Sequence, residues 1–464
     1  MPNQIERALS GLDRRLPGRV SLPGGDGYAA ATAIWPKPVC PTPRAVVHCR
    51  TTEDVQVSIA IARDCGLPLS VRGGGHHWAS LALCAGIVID LSGMNGVSVA
   101  ADHRSAIISG GSRAADVAAA TDPLHLAAVT GACSAVGMAG FTLGGGYGPL
   151  IGRCGLALDN LLTAQVVLAD GRVVVADDNN EQELFWALRG GGGNFGVVTA
   201  MRHRLHNLPS FRSGMLVYSF AEARAVLRRC GDIAASSPED LTVQIGCAGG
   251  PDGKPVVMIL PAWCGPRAEG EAQVAPFLKL GTLLAGNLEA MSYGTSLTLF
   301  DPYIVNGQRV FMDTCWLPAL DTGSIDAFIQ AMETVVSPGC ALFTHEFKGA
   351  ASRVPAEATA FGLRRDHVLV EILATFVDGS DKEEEQRHRR WARATRHAFA
   401  PMALPGGYPN FLVADDAERA AKSYGRNAER LIRAKRHYDP DNIFRSAIPL
   451  PVSQSTLAGV TASL

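Results

Sequence analysis

The chain has 464 residues, 47% hydrophobic and 19% charged, which describes a globular protein with ample core and room for more than one domain. Lys and Arg number 42 against 44 Asp and Glu, a net charge of −2, so neither a nucleic-acid footprint nor attraction to a membrane surface follows. No apolar run approaches the ~18 residues of a spanning helix. The opening "MPNQIERALSGLDRRLPG" lacks a signal peptide's apolar stretch, and eleven cysteines without CxxC pairs suit a reducing compartment, so the expectation is a cytoplasmic protein without structural zinc.

From about Ala45 to Leu205 helix-like and strand-like segments alternate, the pattern of an α/β or α+β unit. "TTEDVQVSIAIARDCG" predicts a helix: Thr51 and Asp54 form a capping box, Val55, Ile59 and Ala62 recur at helical spacing, and Gly66 stops it. "LPLSV" and "GIVIDL" predict strands on either side of the turn "RGGGHHWAS". "AQVVLADGRVVVA" predicts a hairpin with Asp170-Gly171 in a two-residue primed turn. "NNEQELFWALRG" predicts a short helix, and "NFGVVTAMRHRL" the strand after it. Composition changes near Leu208-Pro209. From there to about Pro405 glycine clusters thin out and runs such as "HVLVEILATFV" predict strands. The final "DDAERAAKSYGRNAERLIRAKRHYDPDNIF" predicts one polar amphipathic helix stopped by "DPDN".

Three glycine clusters punctuate the first half: Gly73–Gly75, Gly144–Gly148 interrupted by Tyr147, and Gly190–Gly193. The third contains G-x-G-x-x-G at Gly191, Gly193 and Gly196. A dinucleotide fingerprint needs a strand before it, a helix after it and an acid about 20 residues on. Here the order is reversed, and no Asp or Glu lies between Val197 and Phe220, which argues against a nicotinamide site. The other two clusters fit main-chain nests, in which successive N–H groups hold a pyrophosphate without a lysine. Close loop packing explains either cluster equally well when it is taken alone.

At this point the motifs resemble a known family. "VRGGGHHWAS" resembles the R-x-G-G-H segment of flavin-linked oxidases of the vanillyl-alcohol oxidase superfamily, in particular the berberine-bridge-enzyme-like group. "GACSAVGMAGFTLGGGYGPLIGRCGLALDN", Gly131 to Asn160, resembles that group's second flavin segment, and "ELFWALRGGGGNFGVVT", Glu183 to Thr199, its third. "YPNF", Tyr408 to Phe411, and "YDPDNIF", Tyr438 to Phe444, resemble its C-terminal signatures, so the similarity runs from about Pro43 to Phe444. The resemblance implies an α+β fold: a two-part α/β FAD-binding domain (1–208), a substrate domain with an antiparallel sheet and flanking helices (209–405), and a C-terminal segment (406–464) returning to the FAD domain.

It also implies covalent FAD. The histidine bonded to the flavin 8α-methyl corresponds to His76, and the cysteine that some members bond to flavin C6 corresponds to Cys133; both can add to the electron-poor edge of an oxidised flavin. Further flavin contacts are implied at Arg72, Gly73, Gly74, Gly75, Gly137, Gly140, Gly145, Gly148, Asn160, Gly196, Val198 and Asn410. His77 stands beside His76 among them, with packing or a hydrogen bond as its role. Ser134 and Phe411 depart from the pattern, standing where proline and a second tyrosine are frequent.

Oxidation of an alcohol or amine carbon needs a base for the departing proton. Tyr408, in the Tyr-x-Asn segment, is one candidate, although a free phenol at pKa ~10 is a poor base at neutral pH. Glu371 is the other. It is one charge inside "HVLVEILATF", on the same strand face as Leu369 and Leu373, and a carboxylate buried there needs a partner or a task. The expected function is an FAD-dependent oxidase acting on a small molecule such as a sugar, alkaloid or secondary-metabolite intermediate, with O2 as acceptor and H2O2 as product. A dehydrogenase of the same fold and a non-catalytic flavin-binding protein stay open as alternatives. Phe300, Tyr303, Trp316, Phe343 and Phe361 suit either a pocket for a ring-bearing molecule or plain core packing.

Overall fold

The computed structural model describes residues 4–37, 42–250, 253–304, 306–376, 379 and 382–451. Near its start, strand Ala45–His48 is followed by helix Thr52–Asp64 and strand Leu69–Arg72, with Ile87–Asp90 lying parallel between the two strands. Thr51 and Asp54 close the capping box at the head of that helix, and Gly66, at φ 63°, turns the chain away from its end. The central strand Ile87–Asp90 is buried throughout, as a strand with parallel partners on both sides requires. The glycine turn therefore begins at the C-terminal end of a strand, and the sheet fixes where it starts.

A second sheet is antiparallel and five-stranded, in the order Val97–Val99, Ser105–Ser109, Val197–Arg204, Leu161–Val167, Val173–Ala176. Its last two strands form the expected hairpin, but the turn differs from expectation. Gly171 has φ 86° and Asp170 does not have positive φ. Gly171 N–H donates to Leu168 carbonyl at 3.0 Å and Leu168 N–H to Arg172 carbonyl at 2.9 Å, a three-residue loop with a glycine bulge. Only the glycine needs the left-handed conformation, so Asp170 is free to cap Arg172 N–H instead.

Between Asn207 and Phe211 the chain passes into a nine-stranded antiparallel sheet. Strand His367–Phe376 lies inside it, paired with Cys340–Phe347 on one side and Arg309–Leu317 on the other. One face, including Val370, Ile372, Leu342 and Val243, packs on helices Ala223–Ser236, Thr322–Glu333 and Lys382–Phe399 through residues such as Leu227, Phe328 and Trp391. The alternate residues turn the other face toward the glycine loops.

The tail returns to the first half as two helices, Ala417–Tyr424 and Ala428–Tyr438, where one was expected. Gly425 at φ 51° breaks them, and the turn lets Asn427 donate to the Ala356 and Thr359 carbonyls. Arg430 then pairs with Glu183, and Asn194 donates to the Ile448 carbonyl, which brings residues 444–448 against the glycine loop after helix Gln182–Gly191. Among the described residues no helix is long and apolar enough to cross a membrane.

Candidate functional site

The glycine loops and the open face of the large sheet enclose one cavity of about 390 Å3. Gly73–His77 form part of its wall, joined by Gly137 and Gly140, by Gly192, Gly193 and Gly196, and by Val198. Two of these loops cross back to back. A Cβ on Gly74 would lie 2.8 Å from Gly137 Cα and 2.9 Å from the Ala135 carbonyl oxygen, and nearer still to the Gly137 nitrogen. Glycine is the residue that permits this approach. Gly140 and Gly193 differ, because a Cβ on either would meet no protein atom within 4 Å and would project into open space.

The donors on this wall suit a large anionic cofactor. The amides of Gly74, Gly75, His76 and His77 reach no backbone acceptor among the described residues. No Lys or Arg lies among the described residues lining the cavity, so a pyrophosphate there is a matter for main-chain N–H groups. Ala79 N–H donates to His77 Nδ1 at 3.1 Å, which puts the proton of the neutral ring on Nε2. That buried N–H has no partner of its own. A buried donor left without a partner costs stability.

His76 also lines the cavity and stacks on Trp35, with ring centroids 4.6 Å apart and planes 14° apart. Burial, aided by the charge of Arg113, lowers its pKa to about 4, so the imidazole is neutral and its lone pair is free at neutral pH. Cys133 lies on the same wall. Burial, with the Asp301 charge added, raises its pKa to about 11, so the resting group is a thiol. Next to it, Ser134 donates to Asp301 at 2.6 Å and its amide to the Leu297 carbonyl, which fastens this loop to the substrate-side segment.

On the facing sheet, Glu371 stands where strand alternation put it, between Leu369 and Leu373, and all three line the cavity. Its partner is His345, which the sequence reading missed. The imidazole Nε2 lies 2.9 Å from Glu371 Oε1, and since a carboxylate oxygen accepts, Nε2 is the donor. The Gln244 carboxamide nitrogen is 3.3 Å from the same ring nitrogen. The second carboxylate oxygen has no protein donor among the described residues.

Tyr408 is 4% exposed at the junction of the two halves. Its oxygen accepts from Gly146 N–H at 2.9 Å and from Asn410 Nδ2 at 3.0 Å. Burial nevertheless pushes its pKa up to about 12, with the Glu371 charge adding to the rise against those two hydrogen bonds. A phenol held so firmly protonated donates a hydrogen bond at neutral pH and takes no proton. Tyr147, also on the wall, donates to His367 Nε2 at 2.7 Å, because the other ring nitrogen is committed as donor to the Arg365 carbonyl.

Several expected contacts lie elsewhere. Arg72 turns away from the cavity to donate to the Ala31 carbonyl beside Asp90, bracing the strand ends. Asn160 holds the loop behind the wall, donating to the Cys154 and Leu156 carbonyls and meeting His206 Nε2 at 2.7 Å. The second glycine cluster is not a phosphate nest. A side chain on Gly144 would strike Asn410, one on Gly145 would come within 2.8 Å of the Tyr408 ring, and Gly148 presses on the Thr130 carbonyl. Gly144 and Gly145 make room for the Tyr-x-Asn segment, leaving Tyr147 as the cluster's member on the cavity wall. Of the five central aromatics, Phe300 and Phe343 line the cavity, Trp316 and Phe361 sit in the packing behind it, and Tyr303 is 65% exposed.

Comparison with known proteins gives the same region a chemical context. Residues 43–177 match the model of an FAD binding domain, and residues 407–451 match the berberine and berberine-like family model. The (R)-6-hydroxynicotine oxidase of Paenarthrobacter nicotinovorans is 30% identical over 447 residues, covering 93% of this chain and 96% of that protein. The crystal structure of 6-hydroxy-D-nicotine oxidase from Arthrobacter nicotinovorans superposes with a TM-score of 0.84 at 28% identity, covering 94% of this chain and 98% of the other. A berberine bridge enzyme variant has the same fold at a TM-score of 0.85 and 20% identity, covering 96% of this chain and 99% of that one.

Proposed function

Because the chain belongs to the berberine-bridge-enzyme-like family of FAD-linked oxidoreductases, we propose that it is an oxidase of small molecules that uses O2 and yields H2O2. The observation that carries this reading is a cavity that is glycine-walled on one side and bears the Glu371–His345 pair on the other. In this reading the described residues up to 208 and from 406 to 451 hold FAD, and those between supply the substrate wall. Gly73–His77, Gly137, Gly140, Gly193, Gly196, Val198 and Asn410 enclose the cofactor, His76 is its covalent anchor and Cys133 a second one. A neutral imidazole is the form that can attack the flavin edge, which supports His76, whereas Cys133 must first lose its proton. Bound there, FAD supplies the two-electron acceptor that takes hydride from an alcohol or amine carbon and is reoxidised by O2.

The chain's own part is to place the substrate and move one proton. Glu371 takes the proton from the substrate O–H or N–H at its free carboxylate oxygen, while the His345 N–H holds the other oxygen and so fixes the carboxylate's orientation. Tyr408 is left as a hydrogen-bond donor at the junction rather than the base. The apolar wall of Phe300, Phe343, Leu369 and Leu373 limits water around the reacting atoms. The test is to add alcohols and amines anaerobically to the purified flavoprotein and then admit air. Bleaching of the visible flavin band, its return in air and stoichiometric H2O2 are expected. Return of the band with a dye but not with O2 would replace the oxidase reading with a dehydrogenase.

A further inference from the structure

We propose that the substrate-facing part of the cavity is built for a compact, ring-bearing amine seated with its N–H on Glu371, and not for a sugar or an acid; this rests on the oxidase reading. The distribution of charge and polarity carries it. Among the described residues lining the cavity, Glu371 is the one carboxylate, and there is no Asp, Lys or Arg. Around it the wall is apolar, made by Phe300, Ile304, Met312, Phe343, Leu369 and Leu373. Phe300 and Phe343 form an edge-to-face pair with centroids 5.7 Å apart, which presents ring surface to an incoming ring.

The polar groups of this wall are few, and one of them carries charge. His345 is bonded to Glu371 at 2.9 Å, and the Gln244 carboxamide lies 3.3 Å from the same imidazole nitrogen. What remains for a ligand is the second oxygen of Glu371, an acceptor, the hydroxyl of Tyr408, a donor, and one neutral carboxamide, Gln244. A sugar brings several hydroxyls, and each one buried without a partner costs roughly 1–3 kcal/mol. A carboxylated or phosphorylated molecule would face Glu371 with no cation on the wall to offset it. An amine matches the Glu371 acceptor, and when protonated it makes a charge-assisted hydrogen bond there. The group that recognises the nitrogen is then also the group placed to take its proton.

The test is equilibrium binding to the holoprotein, read by perturbation of the flavin spectrum and by thermal shift under anaerobic conditions. The probes are N-methylbenzylamine, benzyl alcohol, benzoate and methyl glucoside. N-Methylbenzylamine is expected to bind about tenfold or more tighter than benzyl alcohol, with no saturable binding of benzoate or the glucoside. Glu371→Gln should weaken the amine by about tenfold or more, the worth of a hydrogen bond to a charged group, and weaken benzyl alcohol by less, because the neutral alcohol keeps an acceptor in the amide oxygen. Benzoate or the glucoside binding more tightly than the amine overturns the proposal, as does an amine affinity unchanged in Glu371→Gln. The wild-type ranking decides the matter even if that variant does not fold. A glucoside that reduces the flavin faster than any amine removes this inference and leaves the oxidase reading standing. Amine binding to a flavin that neither amine nor alcohol ever reduces does the opposite.

Discussion

Gly74 and Gly140 line the same cavity, and methylating each should fail in a different way. At Gly74 the added carbon would lie 2.8 Å from Gly137 Cα and 2.9 Å from the Ala135 oxygen, both parts of the main chain. Carbon contacts settle at ~3.5–4.0 Å, so the two loops must part by about 1 Å. Overpacking of that kind costs about 1–3 kcal/mol, or roughly 3–10 °C of melting temperature for a unit of this size. The same displacement spoils the amide wall, so flavin loading falls as well. Gly140 sits inside helix Met138–Gly144, where an added methyl group would meet no protein atom within 4 Å. Alanine there gains up to ~1 kcal/mol of helix propensity, so the flavin-free protein should melt at the same temperature or slightly higher. Its methyl group still enters the volume assigned to the flavin, so loading falls. The assay is the ratio of flavin to protein absorbance after desalting, paired with melting of the flavin-free forms. A Gly74→Ala protein with full flavin and an unchanged melting temperature refutes the packing argument. A fully loaded Gly140→Ala refutes the placement of the flavin.

Glu371→Gln should slow anaerobic flavin reduction by roughly a hundredfold or more, the usual loss of a general base; Tyr408→Phe should cost only about tenfold, the worth of one hydrogen bond. Stopped-flow traces with the two effects reversed would return the base to Tyr408. His76→Ala should keep flavin in the denatured chain through Cys133, and the double variant with Cys133→Ala should release all of it on acid precipitation; flavin lost already in the single variant would exclude the cysteine bond. Acid should destabilise the fold early. Burial holds His76, His77, His203 and His206 at pKa values near 4 and His367 near 3, whereas unfolded imidazoles titrate at ~6.5. Between those values the unfolded chain binds more protons, so stability is complete above pH ~6.5 and declines as pH falls toward 4. A melting temperature constant from pH 7 to pH 5 would contradict that set of shifts.

What the sequence made legible follows local rules. Thr51 and Asp54 mark a helix start, Gly171 marks a hairpin, and period-two alternation puts Glu371 on the face of Leu369 and Leu373. The missed features depend on partners far along the chain. His345 meets Glu371 only through the register in which Phe343 lies opposite Glu371, and neither strand encodes that pairing by itself. The glycines at 144 and 145 resembled an anion nest because their reason, clearance for Tyr408 and Asn410, lies more than 260 residues away. His77 looked incidental until the acceptor role of its Nδ1 exposed an unpartnered Nε2–H. Gly425 fell inside a helical charge pattern that continued on both sides of it, so periodicity alone read one helix through the break.

The proposed oxidase requires that the cavity between the glycine loops and the Glu371 wall be an FAD site with His76 at its edge. The direct measurement is the visible spectrum of the purified protein before and after acid precipitation, followed by peptide mapping of the pellet. One flavin per chain should stay with the protein, and a peptide containing His76 should be heavier by the mass of FAD. A protein that takes up no flavin when supplied with FAD, or flavin attached to a peptide from outside this cavity, would contradict that assignment.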